Sequence, residues 1–202
     1  MRVLRILDQH GLTLDRSTGR REGRVHDGKI AVMASNLRWC SDAFEIGCDD
    51  GGKVRVAFAL DCCDREALGF VATTDGIKGE DVQDLMIAAV EARFGRVNRL
   101  PHTIEWLSDN GSGYIAGDTK KLAREIGLEP RFTPVQSPQS NGMAEAFVKT
   151  IKRDYAAVSP APDPSAVIAQ LPSWFDHYNT VHPHQALGYR SPREFIADQT
   201  ET

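Results

Sequence analysis

The chain has 202 residues, 41% hydrophobic and 26% charged, with a formal net charge of −4. That length fits one medium-sized domain with an arm or two, and the composition is ordinary for a globular protein. No apolar run approaches the roughly 20 residues of a membrane helix, and the start, Met1-Arg2-Val3-Leu4-Arg5-Ile6-Leu7-Asp8, has no long apolar stretch or small-residue cleavage site, so the expected location is cytoplasmic.

Residues 2–14 read as the end of a helix, and the Arg-, Gly- and Asp-rich stretch 15–36 as a linker. From there the pattern turns to strands. Residues 38–48 alternate, with Cys40, Asp42, Phe44, Ile46 and Cys48 on one face. Asp50-Gly51-Gly52 is a hairpin turn signal, and strands are expected at 53–61 and 67–74. Val82, Leu85, Met86, Ala89, Val90 and Phe94 keep helical spacing from about Glu80 to Phe94, with Glu80 and Asp81 at the positive end of the helix dipole. A strand at 103–108, a helix at about 118–126 ending at Gly127 and a short strand at 129–132 complete a mixed α/β sheet. Pro134, Pro138 and Gly142 make 133–142 a loop. A long helix is expected to about Val158, then a Pro-rich break, then a helix over 165–180 interrupted by Pro172. Ser191-Pro192-Arg193-Glu194 reads as a helix start with a capping box. The four cysteines, Cys40, Cys48, Cys62 and Cys63, have no zinc-finger or C-x-x-C spacing and read as reduced core residues in apolar, strand-like segments.

Charge is unevenly spread. Residues 1–41 carry 8 basic and 4 acidic side chains, residues 42–118 carry 7 and 15, and the remainder carry 9 of each. Taken alone this is a solvated surface. Bound cations would offset the acidic middle locally, and the basic arm with Lys149, Lys152 and Arg153 is suited to phosphates.

Three carboxylates stand out within this pattern. Asp109 ends the run Ile104-Glu105-Trp106-Leu107-Ser108 and opens Asn110-Gly111-Ser112-Gly113, the position from which a strand end faces a ligand crevice. Asp42 shares a strand face with apolar residues, where an unpaired carboxylate costs several kcal/mol on an order-of-magnitude scale unless a metal ion or a strong donor relieves it. Asp61 competes with it, but Arg65 is close in sequence and available to pair. Glu145 follows Asp109 by 35 intervening residues and heads a stripe with Lys149 and Lys152 at i, i+4 and i+7. Each has a plain alternative: a turn residue, a solvated strand residue, a surface ion pair. Asn110 either supports a site or caps a turn.

The combination is more specific. Around the carboxylates the chain resembles bacterial insertion-sequence transposases with a retroviral-integrase-like catalytic core, the downstream-frame product of a two-frame element. The matching stretches include Trp39-Cys40-Ser41-Asp42, Leu60-Asp61-Cys62-Cys63-Asp64, Leu107-Ser108-Asp109-Asn110-Gly111-Ser112, Ser137-Pro138-Gln139-Ser140-Asn141-Gly142-Met143-Ala144-Glu145, His177-Tyr178-Asn179 and His182-Pro183-His184-Gln185-Ala186-Leu187-Gly188-Tyr189. The resemblance implies a ribonuclease H-like, mixed five-stranded sheet flanked by helices. It divides the chain into an N-terminal arm and basic linker (1–35), a catalytic core (36–158) and a C-terminal helical extension (159–202), with an upstream helix-turn-helix region missing. Asp42, Asp109 and Glu145 become the catalytic metal ligands, holding two Mg²⁺ ions about 3.5–4 Å apart, with Mn²⁺ able to substitute. Asp61 becomes a non-catalytic strand-end residue. Lys149, Lys152 and Arg153 become contacts to the DNA backbone, which position DNA but read little sequence. The partners implied are element ends, target DNA and further copies of the chain, with nucleoid association when DNA is bound.

The resemblance implies cleavage and strand transfer. A remnant that binds DNA or a full-length partner without completing transposition is the alternative, and a ribonuclease H-type hydrolase is a third reading. His177, His182 and His184 read as hydrogen-bonded helix-end residues rather than as zinc ligands.

Overall fold

A computed structural model describes residues 32–133 and 142–200. The helix expected at 2–14, residues 15–31 of the linker expected over 15–36 and residues 134–141 of the loop expected over 133–142 lie outside the described residues. Five strands form one sheet: β1 (Arg38–Gly47), β2 (Lys53–Asp61), β3 (Ala67–Thr73), β4 (Ile104–Ser108) and β5 (Leu128–Phe132). Their spatial order is β3-β2-β1-β4-β5. The β1–β2 and β2–β3 pairs are antiparallel, and β1–β4 and β4–β5 are parallel. The expected mixed sheet is therefore present. The helices are α1 (Gly79–Phe94), α2 (Ser112–Ile115), α3 (Gly117–Ile126), α4 (Gly142–Thr150), α5 (Pro164–Thr180) and α6 (Pro192–Thr200).

Local chemistry explains the joints. Asp50 Oδ1 accepts the Gly52 N–H at 2.8 Å, and Gly51 takes a φ of 85°, so the β1–β2 turn closes as its residues predict. Asp81 accepts the Lys78 backbone N–H at 2.7 Å and starts α1. Gly127 ends α3 in the left-handed region at φ 98°, and an added Cβ there would lie 2.9 Å from the Leu100 Cβ, so conformation and space both require glycine. At α6, Ser191 donates its backbone N–H and its hydroxyl to Glu194 Oε2, each at 2.8 Å, as the sequence pattern anticipates.

The sheet carries a core on each face. Cys40, Phe44, Ile46, Val54, Val56, Phe58 and Leu60 meet α4 and α5 through Phe147, Leu171, Trp174, Phe175 and Tyr178. On the other face Trp39, Ala57 and Ala59 with Ile104, Trp106 and Leu128 meet α1, Tyr114 and Ala123. Because β1 alternates, consecutive residues such as Trp39 and Cys40 enter different cores.

Several expectations change. The helix expected through Val158 is not one α-helix: α4 ends at Thr150, a wide π-type turn covers Ile151–Tyr155, and a 3₁₀ turn covers Ala156–Val158. Ile151 and Tyr155, the first and last residues of the wide turn, are both buried. Pro172 does not interrupt α5; burial of Val167, Leu171, Trp174, Phe175 and Tyr178 holds the helix through it, outweighing a cost of about 3 kcal/mol. The Gly-rich stretch after Asp109 contains the short helix α2, which its composition disguises. Cys40 and Cys62 are buried, while Cys48 and Cys63 are half-buried, and all four thiols are free. Only Cys40 lies in a strand; Cys48 sits in the hairpin connection and Cys62–Cys63 in the turn after β2. A hydrogen bond with Cys62 and then burial push the Cys40 thiol up, which keeps it protonated.

Candidate functional site

Strand register creates the site. In the parallel β1–β4 pair, Cys40 stands opposite Leu107, and pairing ends there. Both residues pack against the core covered by α4 and α5. Two residues further along each chain are Asp42 and Asp109. Parallel neighbours lie about 4.8 Å apart, so the backbone ladder delivers two carboxylates side by side where the strands part. β1 continues beside β2, while β4 ends at Ser108. The opening is a cavity of about 180 Å³ lined by Asp42, Ala43, Ile77, Asp109, Gly111 and Tyr114, among others.

Backbone donors steady both aspartates. Ala43 N–H donates to Asp42 Oδ1 at 2.8 Å, and Gly111 N–H donates to Asp109 Oδ1 at 2.9 Å. An added Cβ at Gly111 would lie 3.0 Å from that same oxygen, so glycine lets the turn fold back on the carboxylate. Asp42 is half-buried. Burial raises its carboxyl above the ordinary range, the Ala43 bond opposes the shift, and the charges of Asp109 and Glu145 add to it. Asp109 and Glu145 therefore both lie within electrostatic reach of Asp42.

Glu145 occupies the first turn of α4, exposed, on the helix that covers Asp42's face of the sheet. It does not line the cavity. Among the described residues, no three His, Cys, Asp or Glu side chains gather closely enough to hold one metal ion. The structure thus brings two of the expected ligands into one cavity and leaves the third on a neighbouring helix. The donor chemistry fits a hard divalent cation, because carboxylate oxygens suit Mg²⁺ and Mn²⁺. Burial first, and then the charges of Asp109 and Glu145, raise the Asp42 carboxyl, and a bound cation would oppose that shift.

Other expected residues sort clearly. Lys149 and Lys152 are exposed on the Glu145 side, and the Lys152 ammonium lies 6.0 Å from the Phe44 ring centroid, beside the strand that carries Asp42. Arg153 is exposed but forks onto Asp154 at 2.6 and 2.7 Å. Asn110 donates to the Thr133 carbonyl at 3.0 Å, tying the exit of β4 to the end of β5. Asp61 lies at the buried end of β2 and accepts from Asn36 N, Trp39 Nε1 and Cys63 N at 2.6, 3.1 and 2.7 Å, a structural set of bonds. Its charged neighbour is Arg93 at 3.6 Å rather than Arg65, whose backbone N–H instead reaches the Asp61 carbonyl. His177 Nδ1 lies 3.0 Å from the Tyr155 hydroxyl, and His182 stacks on Tyr178, so these histidines join helices. Sequence reading missed Tyr114, whose ring enters the cavity wall from α2. Burial, opposed by a hydrogen bond with Ser41 and reinforced by the charges of Asp42 and Asp109, pushes its phenol up.

The five-stranded mixed sheet flanked by helices is a ribonuclease H-like fold of the kind found in integrase catalytic cores. Two models of one family, the integrase core domain, match residues 33–138 and 126–192. The chain is 55% identical over 197 residues to the putative transposase InsD of insertion element IS2E from Escherichia coli K12, covering 96% of this chain and 89% of the relative. It is also 55% identical to the transposase InsD of insertion elements IS2A/D/F/H/I/K from Escherichia coli, covering 65% of that longer protein. The fold matches a chain of the simian T-cell lymphotropic virus intasome in complex with PP2A regulatory subunit B56 gamma, with a TM-score of 0.65, 14% identity and coverage of 82% of this chain and 55% of that one. It also matches the HTLV-2 integrase catalytic core domain in complex with magnesium, with a TM-score of 0.54, 10% identity and coverage of 81% and 97%. The chain belongs to the integrase core family, and its relatives there are insertion-element transposases.

Proposed function

We propose that this chain cuts DNA and joins the cut ends to target DNA, with Asp42, Asp109 and Glu145 as the ligands of two divalent metal ions. The observation that carries the reading is the strand register that sets Asp42 beside Asp109 at the mouth of one cavity, under the helix that bears Glu145. Mg²⁺, or Mn²⁺ in its place, supplies Lewis-acid stabilisation of the attacking and leaving oxygens when bound. The protein's own part is positional. Ala43 N–H and Gly111 N–H each hold one carboxylate oxygen of an aspartate that lines the cavity. Lys149 and Lys152 take the phosphate backbone beside Glu145, and Asn110 braces the turn that presents Asp109. Arg153 joins the lysines by exchanging Asp154 for a phosphate. The partners are element ends, target DNA and further copies of this chain, and the place of action is the bacterial cytoplasm, at the nucleoid. Among the described residues, no helix is long and apolar enough to cross a membrane.

A pre-formed branched DNA tests the chemistry while asking little of end recognition. Cleavage and rejoining should require Mg²⁺ or Mn²⁺ and fall to background in Asp109→Asn, in Glu145→Gln and with chelator. A folded wild type that binds metal and DNA but yields no product would favour the remnant reading instead. Cleavage of an RNA–DNA hybrid without any joining would favour the hydrolase.

A further inference from the structure

We propose that Ser41 and Tyr114 are a positioning pair, whose hydrogen bond fixes the gap between the strand carrying Asp42 and the turn carrying Asp109. The inference rests on the metal-dependent reading above and adds two residues to it.

The bond has a direction. Ser41 Oγ donates to the Phe58 carbonyl at 2.7 Å, so its 2.8 Å contact with the Tyr114 hydroxyl is one it accepts. Tyr114 thus donates to Ser41, and Ser41 to the backbone of β2. Phe58 is the residue that pairs with Asp42 across the β1–β2 ladder. The relay ends on the rung that holds the first carboxylate.

Its other end lies under the second. Tyr114 N–H bonds the Gly111 carbonyl at 3.0 Å, and Gly111 N–H bonds Asp109 Oδ1. An added Cβ at Gly111 would lie 3.3 Å from the Tyr114 ring, so the missing side chain lets the ring sit against the turn. Beyond the Cys40–Leu107 rung the β1–β4 ladder has stopped, and both Ser41 and Tyr114 are buried, at 0% and 5% exposed. Tyr114 spans the gap that the ladder leaves open. A buried hydroxyl pair adds little net stability over apolar groups of the same shape, whereas groups that orient metal ligands are worth about ten- to hundredfold in metal affinity or activity.

The experiment compares wild type with Tyr114→Phe, Ser41→Ala, the double variant and Asp109→Asn. Mn²⁺ binding is read by electron paramagnetic resonance without DNA. The rate of joining on branched DNA is read against metal concentration and against DNA concentration. The proposal expects each single variant to bind Mn²⁺ about ten- to hundredfold more weakly and to need correspondingly more metal for half-maximal rate. KM for DNA should stay near wild type, the double variant should melt near wild type while a single variant that strands the buried partner melts lower, and the double variant should bind Mn²⁺ no worse than either single. Wild-type Mn²⁺ binding in a folded Tyr114→Phe, or a raised KM for DNA with metal binding intact, overturns the pair. Ser41→Ala, which removes one atom, carries the same test should Tyr114→Phe fail to fold. Full joining by Asp109→Asn would sink the metal-dependent reading itself, while its inactivity beside a normal Tyr114→Phe sinks only the positioning role.

Discussion

Arg93 reaches from the last turn of α1 into a buried carboxylate cluster. It donates to both oxygens of Asp64 at 3.0 and 2.9 Å, and lies 3.1 Å from Glu66 and 3.6 Å from Asp61. Asp61 and Asp64 are fully buried, and Arg93 is only 11% exposed. Removing Arg93 would strand the buried charge of Asp61 and Asp64, which costs about 3–5 kcal/mol. Arg93→Ala should lower the denaturant midpoint by that much, and Arg93→Lys should not restore it, because an ammonium lacks the guanidinium fork. Unchanged unfolding curves would refute this. Sequence made Asp61 legible as a strand end but pointed to Arg65 as its partner. Arg65 is near in the chain, yet it takes a left-handed φ of 64° at the turn, and the helix residue 32 positions from Asp61 makes the contact instead. Asp42 and Asp109 were legible for a better reason: strand alternation and a Gly-rich turn are local signals. The Tyr114–Ser41 bond spans 73 residues and leaves no local trace.

The segment after α5 shows how an element is held by rings. Val181 and His182 N–H groups both bond the His177 carbonyl, closing the helix, and the chain returns through a bridge between His184 and Arg190. The His184 ring packs edge-on against Tyr178 at 4.8 Å and His182 at 5.1 Å, and its Nε2 is buried without a hydrogen-bond partner. Burial first, then His182 and Arg65, lower its pKa to about 4. The unfolded imidazole titrates near the ordinary value of about 6.5, so between pH 6.5 and 4 the unfolded chain binds a proton that the folded chain refuses. Stability should therefore fall as pH drops through that window. The melting temperature of wild type should decline more steeply over that range than that of His184→Gln, and parallel profiles would show that His184 plays no part. The capping box of α6 was readable because its partners are three residues apart. The π-type turn after α4 was not, since it answers to packing by Ile151 and Tyr155 rather than to propensity.

Across the whole molecule, Asn179 ties α5 to the first residue of β3. Its side chain accepts from Ala67 N–H at 2.8 Å and donates to the Ala67 carbonyl at 2.9 Å, across 112 positions. It does for the first residue of β3 what a neighbouring strand would do, and so binds α5 to the sheet. Asn179→Ala should cost about 1–3 kcal/mol for each backbone group left stranded in the core, read by chemical unfolding. A loss confined to a few tenths would refute the clamp. The mixed sheet was readable from strand spacing and turn residues. That Asn179, noted only within His177-Tyr178-Asn179, fastens the extension to β3 depends on long-range packing that no local pattern encodes. The same limit applies to Glu145, whose helix was expected but whose standing outside the cavity was not.

The wide turn at Ile151–Tyr155 also bears on how this lineage can change. In a surface loop, a gained or lost residue is absorbed by slack. Here nine residues separate Glu145 from Tyr155, whose hydroxyl meets His177, and one residue more or fewer within the α-helical part, up to Thr150, turns everything beyond it by about 100° at 3.6 residues per turn. Such a change would either swing Tyr155 out of its place or turn Glu145 about the axis of α4. Descendants of this chain are therefore free to vary the letters along that stretch far more than their number.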